Sequence, residues 1–452
     1  MKTAVKKNSY ATVNPCRLCA PLGASIAFKG IENAMPVIHG SQGCATYIRR
    51  YLISHYREPV DIASSSFSEE TAVFGGGENL TKAVKNVILK YSPAVIGINS
   101  TCLSETIGDD LGLWLHQFKK IHNNDEEPII LTVPTPSFIG AHEDGFHAAV
   151  AAIVKTCAGM EESSHELLIL PPMISPADLR ILYNICNDFG IKAQILPDYS
   201  ETLDGGTWDE YLHLPKGGTP VSAIKAIGQT RNVVELGAGF SFREAGDYIG
   251  STFNCNMKRL KLPVGVRSND LFMEFLSEIS GKPVPEHYQR SRARLLDAYV
   301  DAHKYVFEKK AAIIGDEDTV AGLVSLCSET GIIPSVCATV SKASRLTQHI
   351  SECVPDIYQN QITILEEADF DTIESLCQKS NVDICIGNSK GFRMSEKLKI
   401  PLVRVGFPVH DRFGASRIVM LGYEGTNRLF DEIVNAFLCT KQLTDNIGYS
   451  YL

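Results

Sequence analysis

The sequence predicts an α/β protein built from three Rossmann-like domains, each with a mostly parallel sheet flanked by helices. Three observations support this fold class. Short apolar runs that are typical of buried strands recur along the whole chain, and amphipathic helical stretches separate them. Strands that alternate with helices form parallel sheets covered on both faces. A chain of 452 residues is also longer than one hydrophobic core ordinarily supports.

The predicted elements follow one another in a repeating order of strand, loop and helix. Nine apolar runs are predicted as strands: Val95–Thr101, Ile129–Val133, Leu167–Leu170, Ala193–Leu196, Val233–Leu236, Ala312–Ile314, Ile333–Val336, Asp383–Ile386 and Leu402–Val405. Five stretches with helical periodicity are predicted as helices: Asn79–Lys90, Ala141–Cys157, Ser175–Phe189, Val264–Gly281 and Glu286–Lys309.

Two soft boundaries divide the chain into domains at residues 1–163, 164–309 and 310–452. The segment Ser163–Glu166 is polar and precedes a new strand, so it is predicted to be a linker. The second boundary follows a long charged helical stretch that ends near Lys309, after which a fresh strand and loop begin. The three units have roughly the usual size of a domain.

Charge and hydropathy exclude several classes of partner. The net charge of −9 and the pI near 5.8 argue against nucleic acid and anionic membranes. No apolar run approaches the roughly 20 residues needed to span a bilayer. The first seven residues are partly basic but lead into no apolar segment, so they do not predict a secretory signal. We therefore expect a cytoplasmic protein.

Many of the 13 cysteines have apolar neighbours and are predicted to be small buried hydrophobic residues. Cys327, Cys337, Cys385 and Cys439 belong to this group. An odd number of cysteines in a reducing compartment also argues against a disulfide framework.

Cys19, Cys44, Cys102 and Ser137 have a different setting, because turn-forming residues surround each of them. Cys102 and Ser137 each follow a predicted strand, and open α/β sheets bind ligands at the carboxyl ends of their strands. Nearby glycines, Gly23, Gly40 and Gly43, are expected to accept positive φ and to let the backbone approach a bulky group. The pattern indicates a cluster-binding pocket made of loops on a rigid sheet.

Cys16 and Cys19 form a Cys-x-x-Cys pair that could serve as a redox dithiol or as half of a zinc site. A redox pair should follow a βαβ unit, and a zinc site needs a second close pair, yet the sequence offers neither. An iron–sulfur cluster normally takes four cysteine ligands. Either Cys16 supplies the fourth thiolate or a partner chain completes the cluster, and we favour the partner.

Other polar motifs are predicted to have structural roles. His39 is expected to fix its own loop rather than to bind a metal. The run Gly75–Gly77 lacks the Lys-Ser/Thr of a phosphate-binding loop. The acidic residues after Gly315 suit a helix N-terminus. The pairs Glu69–Glu70 and Asp109–Asp110 are predicted to be solvated or helix-starting carboxylates.

A series of ordered motifs resembles one known family, the nitrogenase component 1 family, and within it the β-type subunit. The motifs cover most of the chain: Val13–Pro15, Cys19–Ala24, Met35–Cys44, His55–Pro59, Ala72–Gly76, Thr101–Asp110, Thr135–Phe138, Pro197–Ser200, Gly217–Thr219, Ile386–Ser389, Pro401–Pro408, Asp411–Arg412 and Gly422–Gly425.

The resemblance implies a role for each matching residue. Cys19, Cys44 and Cys102 match the cysteines that hold the β subunit's half of an 8Fe-7S P-cluster shared with the partner subunit, with Cys44 as the bridging thiolate. Ser137 matches a serine that ligates iron in the oxidised cluster. Phe74 matches an aromatic residue where the iron protein docks.

The same resemblance implies partners and an activity for the complex. A homologous α-type subunit would complete an α2β2 heterotetramer and carry the catalytic cofactor. An ATP-dependent iron protein would supply electrons for dinitrogen reduction. The chain would thus be a nitrogenase-like oxidoreductase subunit that is not catalytic alone.

Three alternatives remain open. The segment Asp411–Gly414 looks equally like the paralogous scaffold subunit for iron–molybdenum cofactor assembly. That paralogue often lacks counterparts of Cys19, Cys102 and Ser137, so the reductase subunit is favoured. A nitrogenase-like reductase of another substrate, such as a methylthio-alkane, also fits the cysteine set. The remaining alternative is an α/β binding protein without metal, whose cysteines are structural.

Overall fold

The computed structural model describes residues 15–121, 128–162, 165–210, 212–237, 244–342 and 345–444, together with the backbone of residues 2–3. Two features discussed above lie outside this part of the chain. They are Val13 with Asn14, which begin the first family motif, and Ser163 with Ser164, which begin the predicted linker.

Three sheets form the framework of the molecule. Their strands are β1 (Lys2–Thr3), β2 (Ala34–His39), β3 (Ala63–Ser64), β4 (Val95–Ser100), β5 (Ile129–Val133), β6 (Leu167–Leu170), β7 (Ala193–Ile195), β8 (Asn232–Leu236), β9 (Asn256–Leu260), β10 (Lys310–Gly315), β11 (Ile333–Thr339), β12 (Thr363–Glu366), β13 (Ile384–Gly387) and β14 (Leu402–Arg404).

Helices connect these strands and cover the sheets. They are α1 (Ala20–Lys29), α2 (Gln42–Tyr56), α3 (Glu69–Phe74), α4 (Gly77–Tyr91), α5 (Cys102–Ile107), α6 (Leu111–Ile121), α7 (His142–Cys157), α8 (Pro176–Asp188), α9 (Val221–Lys225), α10 (Glu244–Thr252), α11 (Gly265–Ser280), α12 (Glu286–Val306), α13 (Glu317–Thr330), α14 (Leu346–Cys353), α15 (Asp356–Gln359), α16 (Phe370–Ser380), α17 (Phe392–Leu398) and α18 (Gly422–Thr444).

All three sheets are parallel. The N-terminal sheet has the strand order β3-β2-β4-β5, and the middle sheet has the order β7-β6-β8-β9. The C-terminal sheet has the order β1-β12-β11-β10-β13-β14, so the first strand of the chain joins the last sheet. Because every described strand pair is parallel, the strand ends of one sheet meet at one edge, where loops can assemble a site.

Local sequence explains where several helices begin and end. Ser175 caps α8 by accepting a hydrogen bond from the Asp178 backbone N–H at 2.9 Å, and Pro176 occupies the first helical position. Asp369 caps α16 in the same way through the Thr372 N–H at 2.8 Å. Gly331 ends α13 with φ of +81°, a conformation that costs glycine little.

The structure confirms the predicted fold class and the nine predicted strands and five predicted helices, whose ends shift by a few residues. The three sheets draw their strands from residues 34–133, 167–260 and 310–404, apart from β1. The final helix α18 packs against α12 of the preceding region. The domain boundaries at 163/164 and 309/310 stay predictions.

The buried-cysteine prediction is correct for three residues and wrong for one. Cys327, Cys337 and Cys385 are fully buried, and burial raises the pKa of the Cys327 thiol to about 12. Cys439 is exposed on α18. The physical reason is helical geometry, because Phe437 points into the core and a residue two positions later lies about 200° around the helix.

No helix in the described ranges is both long enough and apolar enough to cross a membrane. The cytoplasmic location stays a prediction.

Candidate metal centre

Cys102 and Ser137 lie just beyond the ends of two neighbouring strands, as the sequence predicts. β4 ends at Ser100, Thr101 caps the next helix, and Cys102 is the first residue of α5. Thr101 and Ser104 exchange capping hydrogen bonds, which fix the position where the chain turns. The Ser137 backbone N–H donates to the Cys102 sulfur at 3.2 Å and joins the two loops.

Hydrogen bonds between the strand ends hold these loops together. The Thr135 backbone N–H donates to the Ser100 hydroxyl at 2.8 Å, and the Thr135 hydroxyl donates to the Ser100 carbonyl at 2.7 Å. Both residues are buried, so these bonds are shielded from water. The loop that carries Ser137 therefore has a fixed position relative to Cys102.

Ser137 also contacts Cys19. The Ala20 backbone N–H donates to the Ser137 hydroxyl at 3.1 Å, and Cys19 stands at the N-cap of α1. The backbone of Cys19 forms an isolated antiparallel bridge with Ala141, directly before α7. Ser137 thus links two of the three predicted sulfur donors.

Cys44 completes the group from the start of α2. It lies in the first turn of α2, where the Ser41 hydroxyl donates to its sulfur at 3.5 Å. Burial raises the pKa of the Cys19 thiol, a hydrogen bond with Ser137 opposes this shift, and the charges of Cys102 and Cys44 raise it further. The structure therefore brings all four predicted residues into one electrostatic neighbourhood.

The exposure of the thiols suits a site at a molecular surface. Cys19 and Cys44 are half-buried and Cys102 is exposed. Large apolar side chains that lie within three residues of these donors in the chain are also exposed, namely Tyr47, Leu103, Phe138 and Ile139. Exposed apolar side chains that cluster around a site are typical of an interaction surface.

His39 fixes its loop, as predicted, and is not a candidate ligand. Its ring is 1% exposed, with Nδ1 lying 3.1 Å from the Ser65 hydroxyl and Nε2 lying 3.1 Å from Asp109 Oδ2. Burial lowers the pKa of His39, and the Asp109 charge opposes that shift. The Gly40 backbone N–H donates to the same Ser65 hydroxyl at 3.0 Å, so these contacts fix the turn before Cys44.

The role expected for the glycines is wrong in detail. Gly23, Gly40 and Gly43 all lack positive φ. A Cβ atom on Gly23 would lie 1.7 Å from the His142 carbonyl oxygen, and one on Gly40 would lie 2.4 Å from Thr101 Oγ1. Gly23 and Gly40 therefore permit close packing within the protein, where α1 crosses α7 and where the loop of Cys44 meets that of Cys102.

Cys16 lies outside the group of predicted donors. It is fully buried in the core of the C-terminal sheet, and its backbone N–H donates to the Ala368 carbonyl at 3.2 Å. Burial raises the pKa of Cys16 to about 12, while the nearby Lys390 charge opposes the shift. A thiol with this environment is suited to packing rather than to metal binding.

The segment that leads to Cys19 is attached to the C-terminal sheet region. The Lys390 ammonium group donates to the Pro15 carbonyl at 2.8 Å, and Arg17 pairs with Glu367 at 3.1 Å. Lys390 lies between β13 and α17, so residues far apart in sequence position the first sulfur donor. The sequence motifs alone do not indicate these contacts.

His142 is a positioning residue that the sequence analysis did not identify. The Leu18 backbone N–H donates to His142 Nδ1 at 3.2 Å, and the His142 backbone N–H donates to the Leu18 carbonyl at 3.1 Å. His142 Nε2 lies 3.0 Å from Asp316 Oδ1. Its only signal in the sequence is a polar residue at the first position of an apolar helix.

Three of the four remaining acidic residues have the predicted positions. Glu69 and Glu70 lie in the first turn of α3. Asp110 accepts the Leu113 backbone N–H at 2.9 Å at the start of α6. Asp109 departs from the simple expectation, because it accepts the Gly76 N–H at 2.8 Å in addition to its contact with His39.

The donor set fits part of an iron–sulfur cluster. Three sulfur atoms and one hydroxyl oxygen converge, and no histidine ring accompanies them among the described residues. Structural zinc sites close with four cysteine or histidine ligands, whereas iron–sulfur clusters take thiolates. Among the residues that the structure describes, the set is incomplete for either group, and its exposed position leaves room for donors from another chain.

Comparisons with known proteins find similarity to one family over most of the chain. The family model for nitrogenase component 1 type oxidoreductases matches residues 19–438. The nitrogenase molybdenum-iron protein beta chain of Clostridium pasteurianum is 35% identical over 431 residues, which cover 94% of this chain and 93% of that protein.

Two further similarities extend the comparison. The nitrogenase iron-molybdenum cofactor biosynthesis protein NifN of Bradyrhizobium diazoefficiens is 32% identical over 439 residues, covering 96% of this chain and 91% of that protein. The solved structure titled Nitrogenase Cp1 at pH 6.5 superimposes with a TM-score of 0.94 at 32% identity, covering 99% of this chain and 98% of that chain.

Proposed function

This chain belongs to the nitrogenase component 1 type oxidoreductase family as a β-type subunit, and we propose that it holds half of a P-cluster-type iron–sulfur cluster. The observation that carries the proposal is the convergence of Cys19, Cys44 and Cys102, with Ser137, on one partly exposed surface. The cluster would be of the 8Fe-7S type and would be shared with a partner subunit. When bound, it would relay electrons towards a cofactor in that partner.

Each donor has a distinct role in this proposal. Cys19 and Cys102 ligate iron on the side of this chain, and Cys44 bridges to the half held by the partner. Ser137 stands between Cys19 and Cys102, so its hydroxyl is placed to ligate iron in the oxidised cluster. The hydrogen bonds at the ends of β4 and β5 keep the donors in position and reduce the rearrangement that binding requires.

The proposed partners are those that the family resemblance implies. A homologous α-type subunit would cover the exposed thiols and form an α2β2 heterotetramer. An ATP-dependent iron protein would deliver electrons, and Phe74 is our candidate for its docking residue. Phe74 ends α3 and is 84% exposed, which is unusual for a phenylalanine unless another molecule covers it.

The proposed reaction of the complex is dinitrogen reduction. Relatives named as nitrogenase molybdenum-iron protein beta chains support this choice, among them that of Clostridium pasteurianum. The three cysteines and the serine support a reductase subunit rather than the scaffold subunit. This chain itself would position and insulate the relay, without binding the substrate.

Iron analysis of the complex tests the proposal. The chain purified anaerobically with its α-type partner should contain the eight irons of a P-cluster per αβ pair, in addition to any cofactor iron. Cys44→Ala should lose most of this P-cluster iron. Two matched controls, Cys16→Ala in the core and Cys439→Ala on exposed α18, should retain it. Equal iron in Cys44→Ala and in the wild-type complex would refute the assignment of Cys44.

A second candidate function is a scaffold on which a cofactor precursor matures. The similarity to NifN of Bradyrhizobium diazoefficiens favours it, since that protein is nearly as similar as the beta chains. A turnover assay separates the two functions. A reductase complex reduces dinitrogen when iron protein and ATP are added, whereas a scaffold complex keeps its cluster and does not. Turnover of a methylthio-alkane but not of dinitrogen would identify the third alternative.

A further inference from the structure

A second group of metal-ligating side chains lies where α7 meets α13. Glu143 and His147 stand four residues apart on α7, so they share one face of the helix. Asp318 lies in the first turn of α13. One potential ligand atom from each of these three residues lies within 4.8 Å of the other two.

The three atoms are near enough for side-chain movements to bring them onto one ion. Carboxylate oxygens and imidazole nitrogens bind first-row divalent ions at about 2.0–2.2 Å, so adjacent donors on one ion are about 3.0–3.6 Å apart. Since the three atoms already lie within 4.8 Å of one another, movements of roughly 1–2 Å close the triad on an ion. Glu143 and Asp318 are buried and His147 is half-buried, so one side stays accessible.

Burial of Glu143 supports a cationic ligand. The residue is 7% exposed. Burial raises its pKa well above the ordinary value, and the charges of Asp316, Asp318 and Glu317 raise it further. Carboxylates that are buried close together disfavour the ionised state, and a bound cation reverses this effect.

Asp316 provides an independent observation beside the triad. It is 3% exposed, and its charge is the largest of those that act on Glu143. Its Oδ1 atom pairs with His142 Nε2 at 3.0 Å, whereas its Oδ2 atom accepts no hydrogen bond from any residue in the described ranges. A buried carboxylate oxygen ordinarily has a partner, and an ion or an ordered water bound to an ion provides one.

The Glu143 carboxylate is held in place by donors on the C-terminal side. The Glu317 backbone N–H lies 3.2 Å from both Glu143 oxygens, and the Ser341 hydroxyl donates to Oε2 at 2.9 Å. Contacts of this kind orient a ligand around a metal ion. Each oxygen keeps a lone pair for coordination.

An open cleft of about 670 Å³ gives access to two members of the triad, because Glu143 and His147 line it. Its walls carry both signs of charge, with Lys155 and Lys342 beside the carboxylates. Lys155 pairs with Glu244, and Arg17 pairs with Glu367. The lining carboxylates still outnumber the lysines, so the cleft favours a cation over an anion.

We propose that Glu143, His147 and Asp318 bind one divalent first-row transition metal ion, with water in its remaining positions. A set of one imidazole and two carboxylates suits Mn²⁺, Fe²⁺ or Zn²⁺ better than Ca²⁺ or Mg²⁺, which prefer oxygen ligands alone. The ion joins α7 of the N-terminal region to α13 of the C-terminal region. This site is separate from the cysteine group and uses none of its donors.

Binding of Mn²⁺ to the full chain tests the proposal. Titration followed by electron paramagnetic resonance should show one bound Mn²⁺ per chain, and Mn²⁺ should raise the thermal midpoint, since ligands that bind only the folded state stabilise it. His147→Gln and Asp318→Asn should each raise the Kd at least about tenfold. The control His303→Gln removes an exposed histidine on α12 and should leave the Kd unchanged.

Two further measurements keep the proposal testable if His147→Gln or Asp318→Asn fails to fold. Glu143→Gln removes a buried charge, so the metal-free variant should be at least as stable as wild type, yet Mn²⁺ should no longer raise its thermal midpoint. Pulsed resonance spectra of wild type with Mn²⁺ should show coupling to one imidazole nitrogen. Failure of wild type to bind Mn²⁺, absence of that coupling, or unchanged binding in the folded triad variants would overturn the proposal.

Discussion

The surroundings of a cysteine, rather than its presence, separate the candidate ligands from the other thiols. Cys19, Cys44 and Cys102 start helices or lie in their first turns. Turn-forming neighbours indicate such positions in the sequence, and this local signal was enough to predict the donors. Cys16 has similar neighbours, yet contacts with residues more than 350 positions away bury it. Distant contacts of this kind leave no local pattern.

Histidine titration offers a test of packing at the residue scale. His55 is 4% exposed and accepts the Val409 backbone N–H at 2.9 Å, and burial lowers its pKa to about 3. The unfolded chain therefore takes up a proton below about pH 6.5 that the folded chain refuses. The contribution of His55 to the free energy of unfolding is therefore fully present above that pH, and it is lost as the pH falls towards 3.

His55→Gln should remove this pH dependence while keeping a hydrogen-bond acceptor. Between pH 6 and 4, wild type should lose up to about 1.4 kcal/mol of unfolding free energy per pH unit more than the variant does. Urea unfolding at a series of pH values measures the difference. The exposed-site variant His303→Gln serves as the control, and parallel curves for His55→Gln and wild type would contradict the explanation.

At the scale of elements, the crossing of α1 and α7 positions the candidate site. Cys19 begins α1, and Ser137 lies shortly before α7, so the contact between the two helices sets the distance between these donors. Gly23 and Gly145 allow the backbones to touch, since a Cβ on Gly145 would lie 1.9 Å from the Ala20 carbonyl oxygen. The sequence shows these glycines but not which helix each of them faces.

Gly23→Ala should separate the two helices. The added methyl group meets backbone atoms that cannot move aside, so we expect a loss of about 3 kcal/mol of stability and a lower content of bound iron in the complex. Gly206→Ala is the matched control, because a Cβ there meets nothing within 4 Å. Thermal unfolding and iron analysis measure both variants, and equal behaviour of the two would disprove this role for Gly23.

An element can be predicted from the sequence when its own residues determine its structure. The runs that form β4 and β5 are apolar and β-branched, so the sequence predicts them directly. β2 was not predicted as a strand, and its Pro36 argues against one. The fold tolerates Pro36 because β3 pairs only with Val37 and Ile38, which leaves that side of Pro36 without a strand partner. β9 was also not predicted, since most of its side chains are exposed at a sheet edge.

Phe74 gives a prediction about the short helix α3. Because its ring is 84% exposed, Phe74→Ala should change stability by less than about 0.5 kcal/mol. It should still weaken electron delivery by the iron protein, which a turnover assay with increasing iron protein measures as a higher half-saturation. Leu89→Ala removes a similarly exposed residue on α4 and should have no such effect. Equal effects of the two substitutions would rule out docking at Phe74.

At the scale of the whole molecule, three parallel sheets form the framework, and loops at the sheet edges carry the candidate donors. The alternation of strands and helices predicts this architecture because each unit is encoded locally. The way the units meet is not encoded locally, and the contacts of Lys390 and His142 with the segment before Cys19 are examples. Both contacts make the position of Cys19 depend on elements outside the N-terminal sheet.

The central claim is that this chain supplies only half of the donors for its cluster. Iron analysis of the full chain purified anaerobically without its partner, compared with the chain purified in the αβ complex, tests this claim most directly. We predict that the eight-iron cluster is present in the complex and that the isolated chain holds no intact cluster of this kind. A stable, complete eight-iron cluster in the isolated chain would contradict the account.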